Sequence, residues 1–246
     1  LVAEVIRSWQ FLIAFIKGKL KIKRKNRFLL PGGLLISFVG SEASSKSTLS
    51  RDIADWLEER FDVAHIHLGK PPKNWRTKPF WFFISIYVKL KSILAQKNST
   101  NANESSLNLP HPIVCWLDSI DRREQMKKHF GMLMQGCTII TDRYPSAFMD
   151  GPRIKGDTPL KSLLANFEKK NYAAIPAPDL VIKAQAPLDV TLTRNSLRSN
   201  PEPESFIRAR YDLAKKIDFE FSDLTTVDTS REYSVTLAEV RRIVWQ

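Results

Sequence analysis

The 246-residue sequence predicts an α/β fold: a central parallel five-stranded sheet flanked by helices in three layers. Short apolar runs bounded by turn residues alternate with helix-period segments, the pattern of parallel strands joined by crossover helices. The first of these runs, Leu34 to Val39, is apolar throughout except for Ser37, as a strand buried on both faces requires. It leads straight into Gly40-Ser41-Glu42-Ala43-Ser44-Ser45-Lys46-Ser47-Thr48. That stretch meets the pattern G-x-x-x-x-G-K-[ST] everywhere except at Ser45, which stands where the second glycine would be.

The chemistry of that loop is anion binding. A small-residue turn entering a helix points several backbone N–H groups at one spot, and the helix dipole adds positive potential there. Lys46 can reach β- and γ-phosphates, and the Ser47 hydroxyl is placed to hold Mg²⁺. The plainer reading is a buried strand followed by an ordinary polar turn, so the rest of the chain has to decide.

Composition narrows the field. The net charge is +12, and residues 1–30 carry eight Lys and Arg against Glu4, leaving +7 in that stretch. Leu1 to Ile16 reads as a helix, and Lys17 to Lys25 alternates charge with apolar residues. Residues 1–30 are therefore expected to form a basic amphipathic helix or linker, and residues 31–246 a single catalytic domain. For residues 1–27 the candidate roles are contact with an anionic membrane surface, a link to an upstream domain, or a solvated charge run. Nucleic acid is disfavoured, since no interleaved aromatics or known motif accompany the charge. The run Trp9 to Ile16 is too short to span a bilayer, and no signal peptide is evident. The chain opens on Leu1, which suggests a processed chain or a piece of a longer one. Cys115 and Cys137 sit in apolar surroundings without metal-like spacing and read as reduced core residues of a cytoplasmic protein. His65 and His67 lie on a strand with no ligand partners nearby in sequence, so core or surface histidines are the better reading.

Pro31-Gly32-Gly33 introduces the first strand, and a helix follows from Lys46 to Arg60 with Leu49, Ile53, Trp56 and Leu57 on one face. Val63 to Leu68 is a second strand. Phe80 to Leu94 is an aromatic-rich helix expected to pack on the sheet or line an acceptor pocket. Gln96 to Asn108 reads as an exposed loop, and Pro112 to Met134 as a long helix stopped by Gly136. Cys137 to Thr141 is a third strand, with Asp142-Arg143-Tyr144-Pro145 at its carboxyl end, where open α/β sheets place ligands. Pro178 to Lys183 is a fourth strand. Two helices, Pro187 to Arg198 and Glu202 to Lys216, carry Arg194, Arg198, Arg208 and Arg210. Leu224 to Val227 and Tyr233 to Trp245 close the chain as a strand and a helix.

In this order the landmarks resemble the thymidylate kinase-like members of the P-loop nucleoside and nucleotide kinases, from about Gly33 to Ile243. They are Gly40–Thr48, Asp121-Arg122, Thr141-Asp142-Arg143-Tyr144, Pro178-Asp179-Leu180, the Arg194/Arg198 region and Val227-Asp228-Thr229-Ser230. The resemblance implies a three-layer P-loop NTPase fold in a divergent bacterial member, with ATP and Mg²⁺ as cofactors. It implies that the Gly40–Thr48 backbone and Lys46 cradle the ATP phosphates and that Ser47 holds Mg²⁺. Asp142 would orient Mg²⁺-bound water or the acceptor. Arg143, with Arg122, Lys70, Glu42 and Tyr144, would contact the acceptor, and Arg194 and Arg198 would close over the transferring phosphoryl as a lid. A nucleoside monophosphate is the family's usual acceptor, and a homodimer stays open.

Departures from the family bear on the acceptor. Val39 stands where many nucleoside kinases place a glutamate base, and a valine takes no proton. Gly69-Lys70-Pro71-Pro72 replaces an Arg-Glu-Pro-Gly stretch, and Lys70 keeps charge without a bidentate fork. Asp118 falls near the usual base-stacking aromatic, for which Trp116 is a substitute. A kinase for a sugar or surface-polysaccharide hydroxyl, with Asp142 or Glu42 as base, is therefore a second reading. A nucleotide-binding scaffold without catalysis, obstructed at Ser45, is a third.

Overall fold

The computed structural model describes residues 32–97, 111–146, 149, 151–219 and 222–246. The basic segment 1–30 and most of the 96–108 loop lie outside these residues. Five strands, β1 (Leu35–Gly40), β2 (Val63–His67), β3 (Thr138–Asp142), β4 (Leu180–Gln185) and β5 (Asp223–Asp228), form one sheet in the order β2-β3-β1-β4-β5. Every pairing is parallel. Among the described residues seven helices accompany it: α1 (Lys46–Glu58), α2 (Lys78–Lys97), α3 (His111–Leu133), α4 (Pro159–Ala173), α5 (Leu188–Ser196), α6 (Glu204–Lys215) and α7 (Tyr233–Trp245).

The chain divides into two compact units. The first comprises residues 1–69, 128–151 and 176–246 and contains the whole sheet. Central β1 is buried at all six positions, whereas the edge strands β2 and β5 alternate or are half-exposed. That contrast follows from position, since only an inner strand is covered on both faces. Ile36 and Phe38 of β1, Ile140 of β3 and Ile182 of β4 pack against Leu49, Ile53 and Leu57 of α1 and Val240 of α7. Each such fully buried side chain contributes roughly 1.5–3 kcal/mol. Two side-chain bonds reinforce the register: Thr141 Oγ1 to Ser37 Oγ at 3.0 Å, and the Leu35 amide to Asp179 Oδ2 at 2.8 Å.

The second unit, residues 70–127 and 152–175, is helical. Asp121 on α3 organises it, accepting from the Asn74 amide (2.9 Å), Thr77 Oγ1 (2.5 Å) and Trp81 Nε1 (3.0 Å). Helix α4 is an element that the strand–helix pattern above does not include. Its local signals are present, since Thr158 caps it by accepting from the Lys161 amide and Pro159 occupies the first turn. Helix α2 shows only a narrow inner stripe, with Thr77 just before it and then Trp81, Ile84 and Val88, while its other described side chains are exposed.

The entry into β1 depends on the absence of a side chain at Gly33. Its amide donates to Leu133 O at 2.6 Å, and a Cβ there would lie 1.9 Å from Cys137 O. Gly33→Ala is therefore expected to destabilise the protein by at least about 2 kcal/mol, read as a lowered thermal midpoint. An unchanged midpoint would contradict this packing.

Candidate functional site

Strand β1 ends at Gly40, and residues 40–45 form the turn that feeds α1. Gly40 has φ +148°, and a Cβ would meet Ala184 O at 2.2 Å, so glycine is required twice over. Ala43 (φ 56°) and Ser45 (φ 61°) both adopt the left-handed region. Alternating left- and right-handed residues turn successive amides inward, which makes an anion-binding concavity ahead of a helix N-terminus. The missing glycine thus falls at a position that does use positive φ, and a serine there costs on the order of 1 kcal/mol.

The Ser45 side chain is not left in the loop mouth unpartnered. Its Oγ accepts from Arg194 Nη1 at 3.3 Å, and Arg194 Nη2 donates to Thr229 O at 2.7 Å. Arg194, expected in the lid, therefore braces the loop against the residue following β5. Arg198, the other lid candidate, is exposed and acts on Lys46 by charge.

Lys46 is buried, with Nζ donating to Ser41 O at 2.7 Å and lying 3.9 Å from Glu42 Oε2. Desolvation dominates its titration, opposed by the negative charges of Glu42 and Asp142, and leaves its pKa lowered to about 8. Glu42, also buried, is the centre of the cluster. Arg143 Nη2 reaches it at 2.8 Å and Arg210 Nη2 at 3.8 Å. Burial pushes the Glu42 carboxyl up, but Lys46, Arg143 and Arg210 together hold it below the usual carboxylate range. Arg143 reaches Glu42 from a left-handed backbone (φ 69°) that turns the chain sharply after β3.

Asp142 sits at the carboxyl end of β3, paired in register with Phe38 of β1, two residues before Gly40. Its Oδ2 lies 3.0 Å from His67 Nδ1, and its Oδ1 is buried with no hydrogen-bond partner. Burial raises its pKa, but the bond from His67, the neighbouring Ser47 hydroxyl and the charge of Lys46 bring it below the ordinary value. An ionised carboxylate with one oxygen orphaned, beside the Ser47 hydroxyl, fits a hydrated Mg²⁺. His67, read above as an ordinary strand histidine, is the site residue that motif spacing missed. It is visible only once β2 and β3 pair at His67 and Asp142. His65, by contrast, bonds Ser50 Oγ at 3.0 Å.

The remaining candidates divide. Tyr144, expected on the acceptor, is instead buried: its hydroxyl donates to Pro176 O and its ring stands edge-on to Phe219. Its aromatic bulk and the desolvated hydroxyl serve packing. Arg208 pairs with Glu204 on an exposed helix face. Within the second unit, Arg122 is buried and donates to the Tyr172 hydroxyl at 2.5 Å, while Lys70 is exposed. Asp118 pairs with Arg153 at 2.9 Å, and Trp116 lines a cavity of about 290 Å³ with Arg76, Phe80, Arg123 and Phe167.

No protein-family model matches the chain. Over 229 residues it is 20% identical to the uncharacterized ATP-binding protein YghR of Escherichia coli, covering 87% of each chain. It is 30% identical over 175 residues to the thymidylate kinase of Xanthomonas campestris, covering 70% of this chain and 64% of that one. Among solved structures, thymidylate kinase from Candida albicans superposes with a TM-score of 0.52 at 18% identity, over 87% of this chain and 91% of the other. The chain has the thymidylate kinase-like P-loop fold.

The buried lysine gives the site a pH signature. Because its folded pKa lies below the ordinary 10.5, burying charged Lys46 costs stability below pH 8. That cost fades as pH rises from about 8 to 10.5. Phosphate affinity should instead fall as pH rises through about 8, when Lys46 loses its proton. NMR titration of the Lys46 ammonium is expected to show a midpoint near 8, and a midpoint in the ordinary lysine range would contradict the burial account.

Proposed function

We propose that the chain is an ATP- and Mg²⁺-dependent phosphotransferase that moves the γ-phosphoryl of ATP to a nucleoside monophosphate. The observation that carries this reading is the Lys46–Glu42–Arg143 cluster at the loop mouth, beside an ionised Asp142 whose Oδ1 is buried without a partner. Phosphoryl transfer needs charge neutralisation around three equatorial oxygens and in-line positioning more than covalent help. The Gly40–Thr48 amides and Lys46 would cradle the β- and γ-phosphates. Ser47 and Asp142 would hold Mg²⁺, which when bound supplies further charge neutralisation at the bridging oxygens. Arg143, anchored by Glu42, is the acceptor-side cation, and Arg194 steadies the loop from the β5 side.

Electrostatics favours a phosphate acceptor over a sugar or polysaccharide hydroxyl. A hydroxyl acceptor would draw on a base such as Glu42 or Asp142, yet both carboxyls are held below their ordinary range by neighbouring cations and donors. A monophosphate enters already ionised and asks only to be held. The scaffold reading is favoured by one observation, the Ser45 side chain at the left-handed loop position.

Lys46→Ala is expected to lower turnover by at least about 100-fold while leaving the thermal midpoint within a few degrees of wild type. Wild-type ATP consumption should rise with nucleoside monophosphates and stay at background with nucleosides and free sugars. Stimulation by a sugar alone would favour the hydroxyl reading. No turnover with any acceptor, together with retained ATP binding, would favour the scaffold.

A further inference from the structure

We propose that His67 is a positioning residue of the Mg²⁺ site, fixing through one hydrogen bond which oxygen of Asp142 is offered to the metal. That role rests on the phosphotransferase reading above. The backbone of Asp142 is held from both sides, because β3 pairs there with His67 of β2 and with Phe38 of β1. The Leu68 amide donates to Asp142 O at 3.1 Å, and the Arg143 amide donates to Phe38 O at 2.9 Å. With the backbone placed, the freedom left to the side chain is rotation of the carboxylate, whose terminal torsion is broad and two-fold. His67 removes that freedom. Its Nδ1 lies 3.0 Å from Asp142 Oδ2, and an ionised carboxylate only accepts, so Nδ1 carries the proton and donates. Oδ1 is then the oxygen left buried with no hydrogen-bond partner, a costly state unless a ligand meets it.

The imidazole suits positioning better than ligation. Mg²⁺ takes oxygen ligands, and the Nδ1 of His67 is already given to the carboxylate. The His67 side chain is 45% exposed and that of Asp142 only 6%, so the bond ties a surface ring to a buried carboxylate. Gly69 leaves room for the ring. A Cβ there would lie 2.8 Å from His67 Nε2 and 2.3 Å from Arg143 Cδ, so the imidazole and the arginine that grips Glu42 both pack close to a residue without a side chain. His65 supplies the contrast on the same strand. Period-two alternation puts it on the face that carries His67, yet it bonds Ser50 Oγ of α1 at 3.0 Å and leaves Asp142 to its neighbour. Hydrogen-bond partners of metal ligands change metal affinity by about 10–100-fold when removed, which makes the role measurable apart from turnover.

The test is titration calorimetry of the full chain with a non-hydrolysable ATP analogue, once in excess Mg²⁺ and once in EDTA. Wild type should bind the analogue at least about tenfold tighter with Mg²⁺. His67→Ala should lose most of that gain, while its affinity in EDTA stays within about twofold of wild type. His67→Asn, whose side-chain amide can still donate to Oδ2, should recover part of the gain. An undiminished Mg²⁺ gain in His67→Ala would overturn the positioning role and leave the phosphotransferase reading standing. Equal weakening of that variant in Mg²⁺ and in EDTA, with a lowered thermal midpoint, would overturn it in favour of a purely structural strand contact. Wild type that binds the analogue but gains nothing from Mg²⁺ would overturn the role together with the metal part of that reading, and wild type that does not bind at all would overturn both entirely.

Discussion

The Glu42 carboxylate is the interaction around which the site is assembled. It is buried and meets Arg143 directly, with Lys46 and Arg210 within 4 Å. A carboxylate so placed is stable only because cations surround it, and those cations would repel one another without it. The cluster joins three parts of the fold: the loop after β1, the turn after β3 and helix α6. Removing Glu42 itself costs about 3–5 kcal/mol, because buried Lys46 and the two arginines beside it are left uncompensated. The charges that would neutralise a transferring phosphoryl are thus part of the packing of this unit.

Ser45 shows how a departure from a motif can be absorbed. The loop keeps the left-handed backbone that glycine would favour, and the strain of about 1 kcal/mol is small beside the stability of a domain of this size. The added hydroxyl accepts from Arg194, whose other nitrogen is tied to Thr229 O. An arginine that the family resemblance places over the phosphoryl is occupied in this structure with bracing the loop. When a nucleotide enters, Arg194 either keeps this brace or exchanges Ser45 for phosphate, and the two outcomes separate a positioning role from a catalytic one.

Much of the frame was legible in the sequence because local signals and tertiary placement agree there. All five strands appear within two residues of their sequence-derived limits, since apolar runs bounded by Gly, Pro and charge leave little choice. Gly40, Glu42, Lys46 and Asp142 lie at and just beyond the carboxyl ends of the paired strands β1 and β3. Other features are set by pairing across the sheet or by neighbours, and no linear pattern carries them. His67 reaches Asp142 only through the β2–β3 register, and Tyr144 belongs to the packing against Phe219. Arg208 and Arg210 look alike in sequence, yet one faces solvent beside Glu204 and the other turns toward Glu42. Helix α4 was readable from Thr158-Pro159, but its weak amphipathic pattern hid it behind the loop that precedes it.

The claim on which the rest depends is that a loop with Ser45 in the left-handed position still binds a triphosphate. Titration calorimetry of the full chain with a non-hydrolysable ATP analogue and Mg²⁺ tests it most directly. The account predicts saturable one-to-one binding with a Kd below about 1 mM. Absence of saturable heat at millimolar analogue would contradict it.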